Sequence, residues 1–395
     1  RRRSRARRSM TDGAPVRLGT PWFVLVVTCG LSYFLALTML QPVLPRYVRD
    51  DLGRGDIAVG IAVGALAIGA IVLRLWAGRL GDTVGRRALI VAGAALVAVS
   101  TLGYGLVSEL WWIVLMRLIT GFGEAGFFVG AATMITDLSP PERRGEAVSY
   151  WSVAVYGGLA FGPYLGDLVQ SGGSAELAFL VSAGLAGVAF VLGIFTRDVP
   201  RAPVDPAAGS GRRLWHPAAL RPGTILFLGL MPLSAFAPLL PLYVDSADGP
   251  DVSAGSVFLV YGVLIMTVRL VGARIPDRLG ARKAGGLALA LIGSGIIVAA
   301  AVPSAFGLLA GTVVLACGMS LLYPAMLLLA LTGITDSERA SVVGTFSSFF
   351  DASAGLGAII AGAVAEIAGY RGAFATSGLA CVVGLLLLRR RVAAA

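Results

Sequence analysis

Apolar residues run along this chain in long stretches, at about 21–45, 57–77, 88–107, 110–136, 147–169 and 175–195, then at 223–244, 254–273, 284–302, 304–333, 340–365 and 372–388. Each approaches or exceeds the roughly 20 residues a helix needs to cross the hydrocarbon of a bilayer. The stretches between them are short and charged. Backbone polar groups without partners are too costly in hydrocarbon, so these connections belong at the membrane surfaces. The pattern predicts twelve transmembrane helices, six before and six after a polar linker at 197–222 that is rich in Pro, Gly and Arg.

The two sets of six are copies. Arg74, Arg79, Asp82, Gly85 and Arg87 recur as Arg269, Arg274, Asp277, Gly280 and Arg282, at a constant offset of 195. Pro42, Pro45, Tyr47 and Val48 recur as Pro238, Pro241, Tyr243 and Val244, and Glu142 and Arg143 as Glu338 and Arg339, at an offset of 196. Two homologous halves around a central site are the plan of many secondary transporters. The predicted organisation is a basic tail over 1–20, a six-helix bundle over 21–196, the linker over 197–222, a second bundle over 223–388 and a short tail over 389–395. Met10 is a candidate first residue.

Composition agrees with a membrane protein. Charged residues make up 14% of the chain and the mean hydropathy is +0.84, against about 25% charged for a soluble domain. The net charge of +10 sits on arginines in the connections, not on a basic face interleaved with aromatics, which argues against nucleic acid. These arginines crowd one side of the alternating helices, so the positive-inside rule places both termini in the cytoplasm. The preponderance of Arg over Lys fits a bacterial inner membrane. Cys29, Cys317 and Cys381 lie in apolar runs and read as packing residues; His216, the one histidine, sits in a connection. No catalytic arrangement, phosphate-binding loop or metal cluster is visible. Neither an enzyme nor an ATP-driven pump is expected, and no cofactor is called for.

Ionisable residues inside a membrane mark functional sites by default. Arg117 and Glu124 lie seven residues apart, on nearly the same face of the fourth helix, and Asp351 sits about twelve residues into the eleventh. Glu124 is the leading proton-binding candidate. Asp351 is a second protonation site or an anchor for a cationic substrate. Arg74 and Arg269, near helix ends, are expected to snorkel to the surface. Gln41, beside Pro42, and the aromatics Tyr33, Tyr156, Phe236, Tyr261, Tyr323 and Phe350 are candidates for a substrate cavity, although such aromatics more often serve packing.

The turn from Gly78 to Arg87, G-R-L-G-D-T-V-G-R-R, resembles the signature loop of the major facilitator superfamily, and the resemblance covers nearly the whole chain. It implies an all-α fold of twelve helices in two pseudo-symmetric bundles that alternate access to a central cavity. It also implies a cytoplasmic latch in which Asp82, Arg86 and Asp137 form a network, with Gly78, Gly85 and Arg87 shaping the turn. The second copy keeps Asp277 and Arg282 but has Ala281 where the first has Arg86. The fourth-helix segment R-L-I-T-G-F-G is similar to a family motif whose Arg, here Arg117, takes part in proton transfer. On the fifth helix Gly158, Gly162, Pro163 and Gly166 match the family's antiporter motif, with Asp167 in place of its last Gly. The resemblance points to proton-coupled export of a small apolar or amphipathic organic compound, antibiotics being one class, by a monomer in the lipid bilayer. An importer or facilitator of a sugar or small metabolite is the alternative.

Overall fold

The structure is a computed structural model that describes residues 20–140, 143–198, 215–272, 275–335 and 338–389; the side chains of 75–83, 144, 145, 270, 276, 277, 339 and 340 lie outside this set, as do nearly all of the expected N-terminal tail and most of the linker. The first half comprises α1 (Pro21–Arg46), α2 (Asp56–Val84), α3 (Arg86–Gly103), α4 (Leu110–Asp137), α5 (Arg144–Ser171) and α6 (Ala175–Ile194). The second comprises α7 (Pro217–Val244), α8 (Ala254–Val271), the short α9 (Ile275–Leu279), α10 (Ala281–Ala301), α11 (Ala305–Ala330) and α12 (Arg339–Arg389). Within α12 the backbone leaves helical geometry at Gly369, with φ of 68°. The element therefore makes two crossings, corresponding to the runs at 340–365 and 372–388. Among the described residues nine helical segments are long and apolar enough to span a membrane, one of them this broken pair. The shorter α8 and the Gly- and Tyr-rich α5 bring the crossings to twelve.

Each half forms its own bundle. In the first, α1 packs on α5 and α6, and α4 on α2 and α3; in the second, α7 packs on α12, and α10 on α11 and α12. The halves meet along two seams, α2 against α12 and α5 against α8. Small residues bring the backbones close at these crossings. A Cβ on Gly64 would stand 2.5 Å from the Gly355 carbonyl oxygen, and one on Gly262 would collide with Ala160. In a bilayer, where apolar surface gains nothing by leaving lipid, such close backbone approach is what holds helices together.

Two features differ from expectation. The charged turn at Gly78–Arg87 shrinks to one residue, because α2 continues to Val84 and α3 starts at Arg86. Gly85 alone reverses the chain, at φ 93°, a conformation that glycine adopts without the Cβ clash. Gly280, its copy, has φ 79°, so the repeat extends to the backbone. Asp198, from the start of the linker, caps α3: its Oδ1 accepts from the amides of Arg86 at 2.9 Å and Arg87 at 3.0 Å. The first helix does not end at Pro45 either. It runs to Arg46 and continues as a wider π-type turn over Tyr47–Asp51.

On the face that carries the α1–α2 connection, two carboxylates tie the halves together. Glu366 of α12 accepts from the amides of Asp56 at 2.7 Å and Ile57 at 3.3 Å. Asp167 of α5 accepts from the Ser253 hydroxyl at 2.7 Å and the Gly255 amide at 3.0 Å. Each half thus sends an acid to the N-terminus of the other half's second helix, where unpaired N–H groups and the helix dipole favour negative charge. Arg46 adds a bridge, from Asp167 at 2.6 Å to Asp245 at 2.5 Å. The arginines that stand out on this otherwise acidic side are all answered locally. Arg49 pairs with Asp56 and Arg54 with Glu109, while Arg371 donates to the carbonyls of Ala300 and Ala301 at the end of α10.

If these caps hold this face shut, the double variant Asp167→Asn/Glu366→Gln opens it. Spin labels at the exposed positions Asp51 and Asp248 are expected to gain a longer distance component. Loss of two charge-assisted bonds shifts the open population by roughly tenfold or more. An unchanged distance distribution contradicts the assignment.

Candidate functional site

Between the bundles lies a cavity of about 260 Å³ whose wall includes residues of α1, α2, α4, α5, α7, α8 and α12. Its lining is mainly aliphatic, with Gln41, Arg117, Tyr261 and Phe350 among the exceptions. Of the expected cavity residues, Gln41, Tyr261 and Phe350 do line it. Tyr33, Tyr156, Phe236 and Tyr323 do not. Tyr33 is fully buried inside the first bundle, stacked on Phe127 at 3.7 Å, and Phe236 is buried among Phe258, Tyr261 and Phe374. Tyr323 packs edge-on against Phe346 and Phe350. These rings do the packing that aromatic residues at helical spacing usually do.

The intramembrane charges assemble differently from their spacing along the chain. Arg74 does not snorkel. Its Nη2 donates to Glu124 Oε2 at 2.8 Å, and its Nε lies 3.4 Å from Asp351 Oδ2. The guanidinium also stands over the Phe128 ring, 5.7 Å from its centroid. With the Asp351 side chain 8% exposed and that of Glu124 14% exposed, water solvates the two acids little, and a shared arginine is what makes their burial tolerable. The cluster joins α2, α4 and α12, so the Arg74–Asp351 contact crosses a seam. Two carboxylates facing one guanidinium leave one surplus negative charge when both are ionised.

Arg117 is not Glu124's partner. Seven residues of helix amount to about 10 Å along the axis, and each side chain finds its own neighbour on α2. Arg117 donates from Nε to the Ala62 carbonyl at 3.2 Å and from Nη2 to the Val63 carbonyl at 3.3 Å. A carbonyl already used in a helix keeps a second lone pair for such a donor.

Arg269, the copy of Arg74, also stays inside, its guanidinium 4.6 Å from the centroid of Tyr156. At the same offset of 195, Tyr156 falls on Asp351. The contacts Arg74–Asp351 and Arg269–Tyr156 are therefore the two copies of one cross-seam interaction, ionic on one side and cation–π on the other. The repeated arginines carried the signal for this; their positions near run ends concealed it.

The fifth-helix motif is a contact surface. A Cβ on Gly158 would strike Phe34, one on Gly162 would strike Thr38, and one on Gly166 would strike the Met39 carbonyl. The Thr38 hydroxyl also donates to the Gly158 carbonyl at 2.7 Å, and Pro163 is buried in the same helix. Asp167 turns away from α1's backbone to reach α8, as described above. In the expected latch, Arg86 Nε donates to Asp137 Oδ2 at 2.7 Å. The side chains of Asp82 and Asp277 lie outside the described residues, as does the side-chain environment of Gly78, while Arg282 is exposed at the start of α10.

Removing the shared base tests the cluster. Arg74→Gln leaves two acids facing each other without a cation, and is expected to destabilise the protein by about 3–5 kcal/mol. The double variant Arg74→Gln/Glu124→Gln should regain part of that loss, read as the melting temperature in detergent. Equal melting temperatures for wild type and Arg74→Gln contradict the reading.

The geometry finds a match among known proteins. The model of the Major Facilitator Superfamily matches residues 26–331 and 270–395. An uncharacterized MFS-type transporter of Salmonella typhimurium is 30% identical over 394 residues, covering 95% of this chain and 96% of the relative. Among solved structures, a bacterial homolog of the human lysosomal transporter Spinster superposes with a TM-score of 0.75 at 18% identity, over 93% of this chain and 96% of the other. The nucleoside transporter NupG does so with a TM-score of 0.73 at 15% identity, over 94% and 100%. Repeated halves, two close-packed seams and a central cavity flanked by buried charge are the parts of a transporter, and the chain belongs to the Major Facilitator Superfamily.

Proposed function

We propose that this transporter exchanges protons for a small amphipathic organic compound and exports it, from a bacterial inner membrane in which the α2–α3 face is cytoplasmic. The observation that carries this reading is the cluster in which Arg74 meets both Glu124 and Asp351. A proton taken up there removes the surplus negative charge; carried by Asp351, it also removes the ionic half of the Arg74–Asp351 tie across the seam. A ligand that binds two states differently shifts their balance; the proton does so because the cross-seam pair is whole only when Asp351 is ionised. Deprotonation toward the cytoplasm, as substrate binds, restores the tie and closes that face behind the cargo. The closely packed α1–α5 contact around Gly158, Gly162 and Gly166 supports antiport through its likeness to the antiporter motif.

Import of a hydroxyl-rich metabolite is a weaker reading. Thr38 and Ser234 line the cavity, but their hydroxyls are already committed to backbone carbonyls. The remaining polar groups of the wall, chiefly Gln41, Arg117 and Tyr261, are few against the many hydroxyls of a sugar.

Proton movement into liposomes that hold the purified protein, under an imposed pH gradient and with a panel of lipophilic drugs and organic acids, tests the proposal. Wild type is expected to show substrate-triggered proton flux, and both Glu124→Gln and Asp351→Asn are expected to lose at least about tenfold of it, an effect of the size usual for a positioned proton carrier. Substrate movement indifferent to the gradient in all three proteins contradicts antiport.

A further inference from the structure

The wall of the cavity carries one charge, that of Arg117, which is buried with 7% of its surface exposed. Its Nε and Nη2 are held by the Ala62 and Val63 carbonyls, and among the described residues neither a carboxylate nor any partner for Nη1 lies within bonding distance. The two acids of the membrane interior, Glu124 and Asp351, are both engaged by Arg74. A guanidinium fixed by two neutral carbonyls keeps its full charge and has no counter-ion. In a mainly aliphatic cavity that is costly unless an anion arrives.

The other uncommitted polar groups on the wall have matching chemistry. Among the described residues no hydrogen bond is formed by the Gln41 amide or the Tyr261 hydroxyl, and both residues line the cavity. Guanidinium, phenol and carboxamide N–H are all donors. A cation and two further donors on one wall suit the oxygens of an anion, while the aliphatic residues and Phe350 suit an apolar body. A cation would meet a like charge here and no acid on the wall. At about 260 Å³ the space lies slightly below the range of drug-sized pockets, about 300–1,000 Å³, so the ligand is small.

We propose that Arg117, with Gln41 and Tyr261, forms a binding site for the head group of a small amphipathic organic anion, a carboxylate or its like, whose apolar part fills the remainder of the cavity. This names the substrate class of the exporter proposed above and rests on its being a transporter of small organic compounds. It also separates two roles that the fourth-helix motif combines. Arg117 serves the cargo, and Glu124, two turns away, belongs with Arg74 and Asp351 to the cluster that takes the proton.

The test is binding, measured by thermal shift and tryptophan fluorescence on the full-length protein in lipid nanodiscs. The probes are small aryl and alkyl carboxylates, each compared with its primary amide and its amine of the same shape. In wild type at least one carboxylate is expected to bind about tenfold or more tightly than its amide, the scale of a charge-assisted bond. Arg117→Gln should bring the two within about twofold of each other, and Arg117→Lys, which keeps the charge without the fork, should retain part of the preference. Size-exclusion profiles and the binding of the amide itself report whether each variant is folded. Amines or amides that bind at least as well as every carboxylate in wild type, or a carboxylate preference that survives in Arg117→Gln, overturn the proposal. The outcome is independent of coupling. A carboxylate preference lost in Arg117→Gln, without any proton flux in liposomes, upholds the anion site and removes antiport; proton flux driven only by amines does the reverse.

Discussion

A charge held at membrane depth must be answered by another buried group, and the interior of this protein is arranged around that constraint. Among the described residues Arg74, Arg117 and Arg269 face inward at this depth, and each is met differently: Arg74 by two carboxylates, Arg117 by two backbone carbonyls and Arg269 by the face of Tyr156. The difference decides what each can do. A pair of acids on one base can take up a proton; a base held by neutral carbonyls is left with charge to offer a ligand. The cation–π contact needs neither, and remains a neutral counterpart to the ionic contact on the opposite seam.

The seams turn these local solutions into a mechanism. Both are lined by small residues, so that helices from opposite halves touch backbone to backbone near Gly64 and Gly262. Packed in this way, the halves can rock as rigid units without opening gaps in either bundle. Ties across the seams then select the state. At the α1–α2 face the ties are Glu366 and Asp167, each bound to the N-terminus of a helix in the other half. Deeper in, the tie is Arg74 with Asp351, the one that a proton releases in the proposed exchange. Alternating access requires the two sets of ties to be broken in turn, and their separation along the seam permits it.

Much of this organisation could be read from the sequence, for identifiable reasons. Apolar runs near 20 residues long leave few alternatives to spanning helices, and the constant offset from Arg74 to Arg269 exposed the two halves. Glu124 and Asp351 stood out because acids in such runs are costly. Their partner did not. Distance from a run's end suggested that Arg74 could reach water, but whether a side chain can snorkel depends on the helix packed beside it, here α12, which lies far along the chain. Spacing puts Arg117 and Glu124 on one face, but two turns of helix separate their neighbourhoods, so each meets a different part of α2. Charge over Gly78–Arg87 suggests a loop, yet only Gly85 leaves the helices, because charged residues remain helical once the helix has left the hydrocarbon. The carboxylate caps across the seam had no local signature and emerged only from tertiary structure.

The central claim is that the charge state of the Arg74 cluster sets how the halves meet. It is tested most directly by the distance between spin labels at Ala88 and Lys283, exposed positions of opposite halves on the α2–α3 face, measured as the pH is lowered in lipid nanodiscs. The account predicts that acidification lengthens this distance in wild type, and that Asp351→Asn shows the longer distance at every pH. A distance that ignores pH in wild type, or responds to it equally in Asp351→Asn, would contradict the account.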